Sequence, residues 1–386
     1  MKEIYLDNAA TTKPEESVVC IMNDVLTKDY GNPSSRHKKG VEAEKYIRNA
    51  AEIISDILKV DTKEITFTSC ATESNNMAVF GAVEKRKRYG DHIITTALEH
   101  ASVREPFLEL EKKGYQVTFL QTDNDGIVDT NALKEALDDK TILVSVMHVN
   151  NETGVIQPLE EIGNIIKTYN KDIIFHVDAV QSFGKMTVRP KKFQADMLSV
   201  SAHKFHGPKG SGFLYIKDGT GIYPLLYGGG QQMKLRSGTE NTPGIAGLGE
   251  AARIAYLEET QDKIKALYKL REKFINDLLS IDGVIVNGVS SEIFAPHIVS
   301  ATFKGIRSEV LLHALEEEDI YISSGSACSS NKPGLSFALS ALGLDKNAVE
   351  STVRFSFSKF TTSDELDLCI NVLKVKVPFL RQFVRR

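Results

Sequence analysis

Met197-Leu198-Ser199-Val200-Ser201-Ala202-His203-Lys204 reads as a short apolar strand that runs out into polar residues and ends on a lysine. Similar β-rich runs precede it at residues 64–68, 92–96, 117–120, 142–146 and 173–177, and another follows at 212–216, with helical patterns between them. This alternation predicts an α/β fold in which a large domain is built on a mainly parallel seven-stranded sheet. Ligands of such sheets gather beyond the C-terminal ends of the strands. The residues that follow the runs are Ser69 to Thr72, Glu99-His100, Asn150-Asn151, Asp178 to Gln181 and His203-Lys204. All are polar or turn-forming, and they are predicted to converge on one crevice.

Beyond the Gly228-Gly229-Gly230 turn and the Arg236-Ser237-Gly238-Thr239 segment, one long helical pattern over residues 244–280 leads away from the sheet. Strand-like runs at 297–303 and 352–357 and helical ones at 309–318 and 364–380 then predict a smaller α+β domain, which the N-terminal strand joins. The expected division is a large domain at 15–257 and a small one made of 1–14 and 258–386, the latter carrying a loop at about 323–336.

The chain has 386 residues, 42% hydrophobic and 25% charged, enough for two ordinary globular domains. A formal net charge of -4, with basic residues scattered rather than clustered, argues against direct binding of nucleic acid. No apolar stretch approaches the roughly 20 residues of a membrane helix, and the start of the chain runs straight into strand-like sequence, so a cytoplasmic protein is expected. The four cysteines lack the paired spacing of a zinc or dithiol site, and no metal is expected. Cys20, Cys70 and Cys369 are read as small buried hydrophobes.

A lysine on a rigid strand end, partly stripped of water, becomes nucleophilic enough to form a Schiff base with an aldehyde cofactor such as pyridoxal phosphate. A lone lysine in that position is more often just a surface residue; here other features point the same way. Asp178 follows a buried strand, where a carboxylate needs a cation such as a pyridinium nitrogen, although taken alone it is equally a helix cap. Gln181 and Asn151 can reach the phenolic edge of such a ring. The segment from Thr68 to Asn76 leaves a strand and opens a helix, offering backbone N–H groups and the Thr72 hydroxyl to a phosphate, with Ser201, His203 and Thr239 as further donors. His100, at another strand end, suits stacking on the ring and proton exchange near neutral pH. Arg354 sits in an apolar strand, where its fork fits either an amino-acid carboxylate or an internal ion pair. Cys328 lies among small residues in a loop without apolar periodicity, where a free thiol is read as functional.

Together these residues make the chain closely resemble the cysteine desulfurases of the NifS/IscS group, in the class-V aminotransferase family of fold-type I pyridoxal phosphate-dependent transferases. The resemblance is carried by Leu6-Asp7-Asn8-Ala9-Ala10-Thr11-Thr12, Ala71-Thr72-Glu73-Ser74, Glu99-His100, His176-Val177-Asp178-Ala179-Val180-Gln181, Ser201-Ala202-His203-Lys204, Arg236-Ser237-Gly238-Thr239 and Ser323-Ser324-Gly325-Ser326-Ala327-Cys328. It implies a Schiff base between pyridoxal 5'-phosphate and Lys204, with Asp178, Gln181, Asn151 and His100 around the ring. Ala71, Thr72, Ser201 and His203 are implied for the phosphate, joined by Thr239 from the partner subunit of a homodimer.

The implied substrate is L-cysteine, bound by Asn32, Asn151 and Arg354. Lys204, His100 and Cys328 are the implied catalytic residues; Cys328 takes the sulfur as a persulfide while L-alanine leaves. An iron–sulfur scaffold or an enzyme of tRNA or cofactor thiolation is the implied acceptor. The rival readings are another pyridoxal phosphate enzyme, such as a selenocysteine lyase or aminotransferase, and a sulfur-relay adaptor without the chemistry.

Overall fold

A computed structural model describes residues 3–289, 292–324 and 336–383. Among these, the main sheet has seven strands in the order Ile65–Thr68, Gly212–Ile216, Met197–Ser201, Ile174–Asp178, Thr141–Met147, His92–Thr96 and Gln116–Leu120. The strands from Gln116–Leu120 to Met197–Ser201 pair in parallel, and Gly212–Ile216 runs antiparallel to both its neighbours. The five strands from Met197–Ser201 and Gly212–Ile216 through His92–Thr96 are buried at every position, so they read as near-continuous apolar runs rather than alternating ones.

Helices cover both faces of the sheet. One core gathers Ile54, Phe175, Leu198, Phe213 and Leu248; another gathers Met77, Val103, Phe107 and Leu214. Some polar side chains inside the sheet tie its strands together. His176 bonds Ser145 Oγ through Nδ1 at 2.8 Å and Ser199 Oγ through Nε2 at 2.9 Å, tying three adjacent strands together. Burial pushes its pKa down to about 3, so this rung is neutral at pH 7.

A third core collects Leu267, Phe274, Phe303, Leu311, Phe355 and Leu373 around an antiparallel sheet in the order Ser323–Ser324, Thr352–Ser356, Ile298–Phe303 and Val284–Asn287. Ile4 and Leu6 belong to this core, and the strand Ile4–Tyr5 pairs in parallel with Ile320–Tyr321. The first residues of the chain are therefore packed among its last hundred or so.

Two expectations change. The pattern over 244–280 forms two helices, Thr242–Ala255 and Glu258–Leu279, because Leu257 is extended and breaks the ladder. The Tyr256 hydroxyl fixes this corner, accepting the Gly184 N–H and donating to Met186 O, each at 3.1 Å. Cys20 is exposed rather than buried. It lies two residues, or about 200° of helical turn, from the buried Val18.

Candidate active site

The carboxyl ends of the strands open onto a cavity of about 350 Å³, within the size range of small-molecule sites. Its walls include Ala71, Thr72, His100, Asn151, Asp178, Gln181, Ser201, His203, Lys204 and Arg354. These ten come from six separated stretches of sequence; the carboxyl ends of the main sheet's strands bring nine of them together, and Arg354 joins them from the strand Thr352–Ser356 of the other sheet. Asn32 and Thr239 do not line this cavity. Asn32 is exposed and caps its own turn, accepting the Ser34 N–H at 2.9 Å; Thr239 is also exposed. Cys328 lies outside the described residues.

Lys204 follows the strand Met197–Ser201 in a short 3-10 turn, and its Nζ donates to the carbonyl oxygens of Ala9 and Ala10, both at 2.8 Å. The same N-terminal turn accepts Gln181 Nε2 at Ala9 O, 2.9 Å away, and pairs Thr11 Oγ1 with His203 Nδ1 at 3.2 Å. Behind Lys204, burial pushes the Lys185 ammonium down to about 7, with the charge of Lys204 adding to the effect. Burial likewise pushes His203 down to about 4, with Lys204 contributing.

Asp178 ends its strand as a buried carboxylate. It accepts the Val180 N–H at Oδ1, 3.0 Å away, and the Asn75 side-chain amide at Oδ2, 2.9 Å away. His100 stands immediately before the helix Ala101–Lys112. Its Nδ1 accepts the Ser102 N–H at 3.1 Å and meets Ser102 Oγ at 2.8 Å, which leaves the proton of the neutral ring on Nε2. Burial lowers its pKa, opposed by the negative charge of Asp178.

The helix Ala71–Arg86 begins at the cavity with no side-chain cap on its first turn. Glu73 folds back to accept the Ser69 N–H at 2.8 Å and takes Arg236 Nε at 2.7 Å. Burial works against its charge, but these partners hold the Glu73 carboxyl below its usual range. Gly212 allows the turn to lie this close: a Cβ there would stand 2.6 Å from Val200 O and 3.1 Å from the Cys70 backbone. Cys70 is half-buried and lines the cavity, so it is part of this wall and not a core hydrophobe.

These residues fit pyridoxal phosphate. The Ser201 hydroxyl is buried without a hydrogen-bond partner beside the open helix start, a costly arrangement that a phosphate would relieve. Asp178 supplies a buried negative charge for a pyridinium, and Lys204 supplies the amine.

Arg354 is the substrate candidate. Its Nη2 donates to Asp7 Oδ1 at 2.6 Å and its Nη1 to Asn151 O at 2.8 Å, while the buried Nε has no hydrogen-bond partner among the described residues. The sequence reading gave no role to Asp7, Asn75 or Ser102, and named Glu99 only as one of the residues converging on the crevice. A polar residue at a buried helical position is the available signal for Asn75, which with Asn76 stands just before the apolar run Met77 to Phe80. Glu99 accepts the Met147 N–H and the Thr96 hydroxyl, and burial pushes its carboxyl up to about 8.

The same fold, and a similar sequence, recur in known proteins. The NifS-like protein of one solved structure superposes with a TM-score of 0.92 at 38% identity, covering 98% of this chain and 100% of the other. A structure described as SspA in complex with cysteine superposes with a TM-score of 0.80 at 35% identity, covering 93% and 100%. The cysteine desulfurase IscS of Dictyoglomus turgidum is 42% identical over 381 residues, 98% of this chain and 96% of that protein. Fold and relatives together define a pyridoxal phosphate-dependent enzyme. The chain belongs to the class-V aminotransferase family, whose model matches residues 4–369.

Proposed function

We propose that this enzyme is a cysteine desulfurase, converting L-cysteine to L-alanine and passing the sulfur to an acceptor. The observation that carries the reading is the convergence of Lys204, Asp178, His100 and Arg354 on one cavity at the carboxyl edge of the sheet. Full-length similarity to proteins named cysteine desulfurase supports it.

When bound, pyridoxal phosphate supplies an electron sink for the pair left on the substrate as its C–S bond breaks. Lys204 is the residue that holds it, through Nζ. Asp178, fixed by Val180 and Asn75, presents the negative charge for the ring nitrogen. The open helix start at Ala71 and Thr72, with Ser201 and His203, takes the phosphate. Arg354 orients the substrate through its α-carboxylate, with Asn151 beside it. His100 and the Lys204 amine would move protons at the substrate.

Cys328, as thiolate, forms an S–S bond to the substrate sulfur while the C–S bond breaks and a proton takes the place of sulfur on the β-carbon. The products are L-alanine and a Cys328 persulfide. An iron–sulfur scaffold or an enzyme of tRNA or cofactor thiolation then takes the sulfur.

The same reading places the protein in the cytoplasm as a homodimer, with Thr239 reaching the partner's phosphate site. Tyr223, Leu225, Leu226, Tyr227 and Met233 are exposed apolar side chains near Thr239 in the sequence, an apolar surface that a second copy would cover, which supports the dimer. Among the described residues, no helix is long and apolar enough to cross a membrane. The division into domains 15–257 and 1–14 with 258–386 places its boundary at the Tyr256-Leu257 corner.

The test is a single turnover with sulfur-labelled L-cysteine. Label bound to Cys328 and an equal amount of L-alanine support the reading. L-Alanine formed at the full rate by Cys328→Ser contradicts it.

A further inference from the structure

The Nε–H and Nη2–H of Arg354 form the side of the guanidinium that grips a carboxylate with two parallel bonds. Asp7 takes only half of it, through one oxygen on Nη2 at 2.6 Å, while the buried Nε is left without a partner among the described residues. The two partners also differ in exposure. The Arg354 side chain is 6% exposed and that of Asp7 is 21%, so the carboxylate borders solvent and the guanidinium does not. Both line the cavity.

The Asp7 backbone is held independently of this ion pair. It bridges Ser356, Ser356 N–H donates to Leu6 O at 2.7 Å, and Asn8 Nδ2 donates to Ser356 O at 3.0 Å. The other acid near Arg354 is Glu152, which accepts the Ser336 hydroxyl at 2.5 Å and whose carboxyl burial pushes up. Asp7 is therefore the direct ionic partner of Arg354.

We infer that Asp7 is an internal competitor for the substrate: its carboxylate occupies part of the Arg354 fork, and an amino-acid carboxylate binds by displacing it. This rests on the reading of Arg354 as the site of the substrate carboxylate. An incoming α-carboxylate engages both Nε and Nη2, satisfying the donor that Asp7 leaves unpaired, and Asp7 turns toward water from a backbone that stays in place. The competition weakens carboxylate binding by the fraction of time the fork is free; a fork free a tenth of the time weakens it about tenfold. The same contact favours release of the amino-acid product, because Asp7 returns as it leaves. Asp7 is thus a specificity-determining residue that sets substrate affinity by opposing it.

The experiment titrates the holoenzyme with L-alanine and with L-alaninamide, which lacks the carboxylate, and reads binding from the visible absorption of the cofactor. Asp7→Asn is expected to tighten L-alanine about tenfold and to leave L-alaninamide unchanged. Asp7→Ser, with thermal melting as a folding control, repeats the measurement in case the first variant folds poorly. Weaker or unchanged L-alanine binding in the folded variants overturns the inference, because a residue that merely orients Arg354 gives that result. Arg354→Met separates the underlying reading: it should bind L-alanine no better than L-alaninamide. If it still distinguishes them as wild type does, the carboxylate site is not Arg354 and both claims fall.

Discussion

Asn75 donates its side-chain amide to Asp178 Oδ2 at 2.9 Å, and both residues are buried. The same amide nitrogen reaches Ser102 Oγ at 2.8 Å, and Ser102 holds His100. One helix residue therefore positions the carboxylate proposed for the ring nitrogen and, through Ser102, the His100 imidazole. A hydrogen bond to a charged group contributes about 1.5–3 kcal/mol. Asn75→Ala should raise the dissociation constant for pyridoxal phosphate by roughly one to two orders of magnitude, read by equilibrium dialysis of the apoprotein. Asn75→Asp sets a second carboxylate against Asp178 and should abolish retention of the cofactor. Unchanged affinity in both variants would show that Asp178 needs no such support.

Ser201 gives a prediction with opposite signs in the two states. Its hydroxyl is buried and unpartnered in the protein alone. Ser201→Ala removes that unsatisfied group, so the melting temperature of the apoprotein should stay level or rise. Cofactor affinity should fall several-fold, because the phosphate loses a donor. A variant whose apoprotein is destabilised while its cofactor affinity is unchanged would place the hydroxyl in a purely structural role.

Glu99 ties stability to alkaline pH. Its carboxyl is pushed up to about 8 by burial, with the neighbouring Asp178 charge adding to the effect. The folded chain keeps this proton where the unfolded chain has lost it, so the contribution is fully present below the unfolded value near 4.5 and is lost as pH rises through about 8. Denaturant midpoints of wild type and Glu99→Gln, compared from pH 6 to 9, should differ in slope, with the wild type losing more stability toward the alkaline end. Parallel curves would mean that Glu99 does not carry the proton.

Cys328→Ser should keep the visible absorption of the bound cofactor and lose persulfide formation. Lys204→Ala should lose the absorption of the imine itself. The two variants separate holding the cofactor from accepting sulfur, and a Lys204→Ala protein with an unaltered imine band would remove Lys204 from its role.

The sheet was legible because strands buried on both faces are rich in apolar and β-branched residues; His92–Thr96 and Gly212–Ile216 match the predicted runs residue for residue. The crevice was legible for a related reason, since a parallel sheet delivers its polar strand ends to one side, as Asp178, Ser201 and His100 show. Partners set by packing were not legible. Nothing in the spacing of Asp7 and Arg354 puts them 2.6 Å apart, because that contact depends on the first strand joining the last core. Leu257 breaks a helical pattern that is apolar and periodic on both sides of it, and a Tyr256 hydroxyl fixed by residues about seventy positions away carries no local signature.

The central claim is that Lys204, and no other amine, holds pyridoxal phosphate. Borohydride reduction of the holoenzyme followed by peptide mapping tests it directly, because reduction fixes the cofactor to whichever lysine carries it. The account predicts the pyridoxyl group on the peptide containing Lys204. A pyridoxyl group on Lys185, the neighbouring buried amine, or on no lysine at all would contradict it.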